Sequence, residues 1–290
     1  MSGNIIEVSN LRVRYRGRRK YALDDLSFNV KRGEFLAITG PNGAGKTTLA
    51  YSLNGIVPHL VSADCDGSVV VEGLDTKEAS VSELSLKIGL VFQNPKSQLS
   101  GAALTVFEEV AFGPQNMGLP KEEILKRTQE AIDIVGLNGL EDRSPFHLSG
   151  GQTQRLAIAS VLAMRPSIIV LDEVTSQLDP VGTFEVIKTI YDLHKKHGLT
   201  ILFISNKSEL IAAIAERVLV INEGKLVYDD TPYNVYSNTE ELKEIGLIPI
   251  PIAEFASLLK REASIEIDRT PITDDDGVAL IKQLLGVENE

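Results

Sequence analysis

The chain has 290 residues, of which 43% are hydrophobic and 24% charged, with a formal net charge of −11. That length and composition fit a globular fold with room for one large domain and a small one, and the acidic balance argues against a nucleic-acid-binding role, which needs clustered cations. The single cysteine, Cys65, leaves no internal disulfide and fits a reducing compartment; no run of 18 apolar residues offers a membrane span, and Met1-Ser2-Gly3-Asn4 has no signal-like pattern.

Ile5 to Tyr15 alternates apolar and polar residues and predicts a strand. Ala22 to Val30 predicts a second, with Arg16-Gly17-Arg18-Arg19 as the turn between them. The basic cluster Arg12, Arg14, Arg16, Arg18, Arg19 and Lys20 reads as a solvated hairpin tip, with contact to anionic lipid or phosphate as the alternative. Glu34 to Thr39, introduced by Gly33, predicts a short buried strand that runs into Gly40-Pro41-Asn42-Gly43-Ala44-Gly45-Lys46-Thr47-Thr48. Thr47 to Leu53 then opens a helix. The spacing G-x-x-x-x-G-K-[ST] between a strand and a helix is that of a phosphate-binding loop. Its free backbone N–H groups and the helix N-terminus converge on one anion. Lys46 would reach the β- and γ-phosphates, and the Thr47 hydroxyl would sit on Mg²⁺.

Gly67 to Gly73 predicts a short strand bounded by glycines, and Ile88 to Phe92 a buried one ending at Gln93. From Thr105 to about Gly198 the pattern is mostly helical. Thr105-Val106-Phe107-Glu108 has the form of a capping box. Helices are predicted over Lys121 to Val135 and Gly150 to Ala163. Ile168 to Leu171 is a buried strand, Val181 to Lys196 a helix, Thr200 to Ile204 a strand and Ser208 to Ala215 a short helix. Val218–Ile221 and Lys225–Tyr228 form a hairpin across Asn222-Glu223-Gly224. Strands alternating with helices argue for an α/β core with a parallel sheet. Thr231-Pro232 is an N-cap with proline at the first helical position. Beyond it, Ile248-Pro249-Ile250-Pro251 is a rigid connector, followed by helices over Ile252 to Arg261 and from Thr273 to Leu285. The boundaries this implies are a main domain over 1–238, with a helical insertion at about 100–165, and a small α-rich domain over 239–290.

Two further motifs carry chemistry. In Ile168-Ile169-Val170-Leu171-Asp172-Glu173 a buried strand delivers two carboxylates beside the phosphate loop. Asp172 is placed to hold Mg²⁺, and Glu173 to polarise an attacking water as general base. In Leu148-Ser149-Gly150-Gly151-Gln152, glycines at a helix start make a second anion nest, distant in sequence from the first.

With these motifs the chain resembles the ATP-binding-cassette ATPases over about Ile5 to Asp230. Leu148–Gln152 match the family's signature, Gln93 its Q-loop glutamine, Ser176-Gln177-Leu178-Asp179 its D-loop, and Tyr15 its adenine-stacking aromatic, with Tyr21 a competitor for that place. The resemblance implies a P-loop NTPase core of α/β class, an antiparallel β subdomain, the inserted helical subdomain that bears the signature, and a C-terminal α-rich domain. It implies two cassettes packed head to tail, with ATP and Mg²⁺ between one chain's phosphate loop and the other's signature. Gln93 would touch Mg²⁺ and report to a membrane partner, and Asp179 would cross the dimer seam. A narrower resemblance, carried by Phe92-Gln93-Asn94-Pro95 with Gln98, by Val110 to Asn116, and by Leu242 to Leu247 with the acidic tail, is to the energy-coupling-factor importers of vitamins and transition-metal ions. It implies ATP hydrolysis at the cytoplasmic face of the membrane, a second cassette, a transmembrane coupling protein and a substrate-binding membrane subunit. Glu108 and Glu109 are candidates to meet a basic segment of the membrane partner, against the simpler reading as acids of a helix's first turn. Two positions depart from the pattern. Val174 stands where the family has proline, and Asn206 where it has a histidine that contacts the γ-phosphate; none of His59, His147, His194 and His197 fills that place. Asn206 keeps open a nucleotide-sensing cassette with a slow site, and a soluble non-transport cassette is the remaining alternative.

Overall fold

In a computed structural model, residues 3–286 are described. The chain begins with β1 (Asn4–Tyr15), β2 (Leu23–Lys31) and β3 (Phe35–Thr39), then α1 (Lys46–Leu53), the single turn α2 (Ile56–His59), β4 (Ala63–Val71), β5 (Leu74–Asp75), α3 (Val81–Ser85) and β6 (Ile88–Val91). Three helices follow, α4 (Val106–Asn116), α5 (Lys121–Ile134) and α6 (Gly150–Leu162). The core is completed by β7 (Ile168–Asp172), α7 (Pro180–His197), β8 (Thr200–Ile204), α8 (Ser208–Ile214), β9 (Arg217–Asn222) and β10 (Lys225–Asp230). The C-terminal part contributes α9 (Pro232–Tyr236), α10 (Thr239–Glu244), α11 (Pro251–Glu262) and α12 (Asp274–Leu285).

The strands form two sheets. One is antiparallel, in the order β2-β1-β4-β5; the other runs β10-β9-β3-β8-β7-β6, parallel except for the β10 edge. Every residue of β3, β7 and β8 is buried, as continuous apolar runs demand when both faces of a sheet are covered. The pleat then divides them by alternation. Phe35, Ala37, Ile169, Leu171, Ile201 and Phe203 enter the core on the helical side. Leu36, Ile38, Ile168, Val170, Leu202 and Ile204 enter the core shared with α1 and the antiparallel sheet. Strand β3 therefore lies between two layers, and the loop leaving its C-terminal end is held from both sides. Ligands of open α/β sheets bind at that end of the strands.

Local chemistry sets the helix starts. Thr105 and Glu108 close the predicted capping box on α4, and Thr231 caps α9. The predicted strand at Gly67 begins four residues earlier, at Ala63, because Ala63 to Asp66 pair with Arg12 to Tyr15. Gly67 itself sits inside the strand with φ +78, facing the register break between Ser9 and Arg12. The basic turn is balanced by acids: Arg12 pairs with Asp24 and Asp25, Arg14 with Asp64 and Lys20 with Glu223. Cys65 is half-buried, and burial pushes its thiol pKa up. In the C-terminal part, Leu242, Leu247, Ile250, Ala253 and Ile272 join the main core on the helical side, while Ala256, Ile267 and Leu280 form a small core of their own. Among the described residues no helix is long and apolar enough to cross a membrane.

Candidate nucleotide site

The loop after β3 turns back over the start of α1 with Gly40, Gly43 and Gly45 all at positive φ. Gly45 shows why no larger residue serves. Its φ is +111, and a Cβ there would collide with the carbonyl of Ala22. The loop wraps its own lysine: Lys46 Nζ donates to Gly40 O at 2.6 Å and to Pro41 O at 3.1 Å. Lys46 is buried, and burial lowers its pKa, opposed by the charges of Glu173 and Asp172.

This loop forms one wall of a cavity of about 650 Å³. The cavity brings together Tyr15, Asn42 to Thr48, Gln93, Glu173 and Asn206 from five separate stretches of chain. Tyr15, at the end of β1, hydrogen-bonds through its hydroxyl to Thr48 Oγ1 at 3.0 Å. Tyr21 lines no part of the cavity; the Arg14 guanidinium lies over its ring at 5.4 Å. Gln93 Nε2 donates to Ser176 Oγ at 3.2 Å, which joins the end of β6 to the loop after β7.

Of the carboxylates at the end of β7, Asp172 is buried and Glu173 half-buried, at some cost. Asp172 is 4% exposed, and its Oδ1 has no hydrogen-bond partner among the described residues. Burial raises its pKa, while a hydrogen bond from the Thr47 side chain and the charge of Lys46 pull it back. Glu173 is at φ +52, a conformation that non-glycine residues adopt at a cost, and its Oε1 is also buried without a partner. Its pKa is raised by burial and by Asp172, and held back by Lys46, the Asn206 backbone and Lys207. Val174, where the resemblance predicts proline, is packed in the core at 1% exposure.

The signature residues are elsewhere. Leu148 to Gln152 line no part of the cavity; they lead into α6, with Ser149 and Gly150 exposed and Gly151 buried. Ser149 Oγ accepts from Gln152 N at 3.3 Å, and Gln152 Oε1 accepts from Ser149 N at 3.0 Å. The motif thus caps its own helix and leaves the N–H groups of Gly150 and Gly151 outside the box. Asp179 caps α7, accepting from Gly182 N at 2.7 Å. The two helix starts touch through glycines: a Cβ on Gly151 would lie 3.2 Å from Gly182 Cα.

A second cavity, of about 550 Å³, lies between α3 and the helical insertion, lined among others by Leu86, Gln98, Phe112, Met117 and Met164. Two acids of the first turn of α4 stand beside it. Glu108 closes the capping box and accepts from Leu104 N. Glu109 is buried at 4% exposure and accepts from Ser100 N at 2.7 Å and Ser100 Oγ at 2.8 Å. Glu109 is thus engaged by Ser100 at the rim of this cavity, while Glu108 caps its helix through one carboxylate oxygen and stays exposed. Lys207 lines the cavity and escaped the motif reading, while Ser176 entered it only as the first residue of the D-loop match. Lys207 had one available signal, its place beside the departing Asn206.

The sequence matches the family described as ABC transporter over residues 23–176. The energy-coupling factor transporter ATP-binding protein EcfA1 of Streptococcus thermophilus is 42% identical over 97% of this chain and 96% of its own length. A solved structure described as cbiO1 from Clostridium perfringens, part of the ABC transporter complex cbiONQ, superposes with a TM-score of 0.74 at 33% identity, over 88% of this chain and 99% of its own. A dimeric ATP-binding cassette described as a post-hydrolysis state bound to ADP and Pi gives a TM-score of 0.67 at 28% identity, over 78% and 98%. The chain belongs to the ABC transporter family and is an ATP-binding ATPase of P-loop NTPase fold. Within that family it is similar to the ATP-binding subunits of energy-coupling-factor transporters.

Proposed function

We propose that this chain is one of two cassette ATPases that energise an energy-coupling-factor importer, sitting at the cytoplasmic face of the membrane beneath a transmembrane coupling protein and a substrate-binding subunit. One observation carries the reading. The cavity holds the phosphate loop, Gln93 and Glu173, while Leu148–Gln152 stand outside it at the start of α6, with Ser149 and Gly150 exposed. ATP at Lys46 then meets a signature loop only if a second cassette brings one. The dimeric relative with ADP and Pi supports this arrangement.

In the working site Lys46 exchanges its loop carbonyls for phosphate oxygens, and Tyr15 offers its ring to the adenine. The residues fit a divalent cation. Asp172 Oδ1 is a buried oxygen with no partner, the Thr47 hydroxyl adjoins that carboxylate, and Gln93 commits its amide nitrogen to Ser176 and keeps its oxygen as an acceptor. Thr47, Gln93 and Asp172 would hold Mg²⁺, which neutralises charge on the phosphates when bound. Glu173 takes the proton of the attacking water, the new oxygen bonds to the γ-phosphorus, and ADP leaves with the electrons of the broken bond. Asp179 and the signature residues serve the shared seam.

Asn206 favours a heterodimer. Its Nδ2 donates to Asn42 Oδ1 at 3.1 Å, so the side chain braces the phosphate loop. Asparagine cannot take up a proton as histidine does. This chain's own site is then slow, and its signature loop completes a faster site on the partner cassette. Two experiments test the reading. The tagged chain should co-purify with a second cassette and a membrane protein; ribosomes or DNA in their place would end it. In that complex Asn206→His should raise ATP turnover with binding little changed, and no change would remove the asymmetry.

A further inference from the structure

Lys207 follows Asn206 in the turn between β8 and α8 and lines the same cavity as Lys46, Glu173 and Ser176. Its ammonium donates to Thr175 O at 3.0 Å, in the loop after β7. An ammonium has three donors, and among the described residues Lys207 spends one of them, on Thr175 O. Its charge acts on Glu173 across the cavity. The local charges are Lys46 and Lys207 against Asp172 and Glu173. Without Lys207 the site would carry a net negative charge before a polyanion arrives.

The neighbouring Asn206 is turned to the phosphate loop at Asn42. Two adjacent residues therefore divide one place: Asn206 braces the loop, and Lys207 brings a cation to the end of the cavity where Glu173 stands. Resting on the reading of this cavity as the ATP site, we propose that Lys207 contacts the terminal phosphate of bound ATP and makes the site favour nucleoside triphosphate over diphosphate. Glu173 marks the γ-phosphate end, so a cation beside it meets the group that ATP has and ADP lacks. The same residue ties the turn between β8 and α8 to Thr175, so the contact also fixes the loop that leads to Asp179.

The test is calorimetric titration of the full chain with MgATP and with MgADP. In Lys207→Met, affinity for MgATP should fall about 10- to 100-fold, the size of a lost charge-assisted hydrogen bond, and affinity for MgADP should hold within about twofold. Lys207→Arg should restore the preference. Lys207→Gln keeps a donor for Thr175 O but no charge; its melting temperature should rise with ADP as the wild type's does, and less with ATP. Equal losses for both nucleotides would reduce Lys207 to a brace for Thr175 and overturn the proposal, as would an unchanged ratio. A wild-type chain that binds neither nucleotide would instead remove the ATP reading beneath it.

Discussion

The phosphate loop and the signature loop are both glycine-rich helix starts, yet the fold treats them differently. The first leaves a strand held between two cores, closes over its own buried lysine and is faced by one buried carboxylate, Asp172, and one half-buried, Glu173. The second exposes Ser149 and Gly150, is capped by its own serine and glutamine, and rests Gly151 against Gly182 at the start of α7. The difference separates a site whose charges are balanced within one chain from a surface that, in the proposed function, serves a second cassette. A loop that holds charge against charge must be buried to make those charges strong. A loop that completes a neighbour's site must be stable while exposed.

Substitutions can break this contrast at either end. Glu173→Gln should have the largest effect, a loss of about 10²–10⁴ in turnover with ATP binding kept, as expected for removal of a general base; phosphate release by the assembled complex measures it. The same variant should raise the melting temperature of the nucleotide-free chain. Burial holds the folded-state pKa of Glu173 above its ordinary 4.5. A carboxylic acid raised in this way favours the fold below the unfolded pKa and loses that benefit as pH rises through the folded value. The gain in Glu173→Gln should therefore be larger at pH 7 than at pH 4, and a gain independent of pH would show that burial is not its cause.

Lys46→Ala removes the cation that the loop encloses. Affinity for MgATP should fall by about 100-fold or more, read by titration; wild-type affinity would defeat the phosphate-loop assignment. Gly151→Ala acts at the other end. Its methyl would press on Gly182 and shift the signature helix against the start of α7. ATP binding to the isolated chain should be unchanged, while turnover of the complex drops on the order of tenfold, since small displacements of a positioned group are costly. Equal turnover would show that the contact has slack.

The smallest effect belongs to neither loop and sharpens the contrast by serving as its control. Glu109→Ala leaves two donors of Ser100 without their acceptor, at a cost of about 1–3 kcal/mol. Thermal unfolding should report it while ATP affinity stays put. A loss of transport with stability intact would return Glu109 to the membrane interface.

The order of elements, the capping box at Thr105, the phosphate loop and the carboxylates after Leu171 were legible in the sequence because each depends on neighbours in the chain. Hydrophobic period, cap chemistry and glycine spacing act over a few residues. What the sequence could not decide was where separate stretches meet. The early start of β4 depends on pairing with Arg12 to Tyr15, far away in the chain. The choice between Tyr15 and Tyr21 as a wall of the cavity turned on which ring lies beside Thr48. Glu109 looked like a surface acid, and only packing of α4 against Ser100 made it internal. Lys207 belongs to no motif, yet the parallel pairing of β3, β7 and β8 brings its turn beside Glu173. Local chemistry wrote the elements; the charge balance of the site arises only where the strand ends converge, because that balance is set by distance and burial rather than by order in the chain.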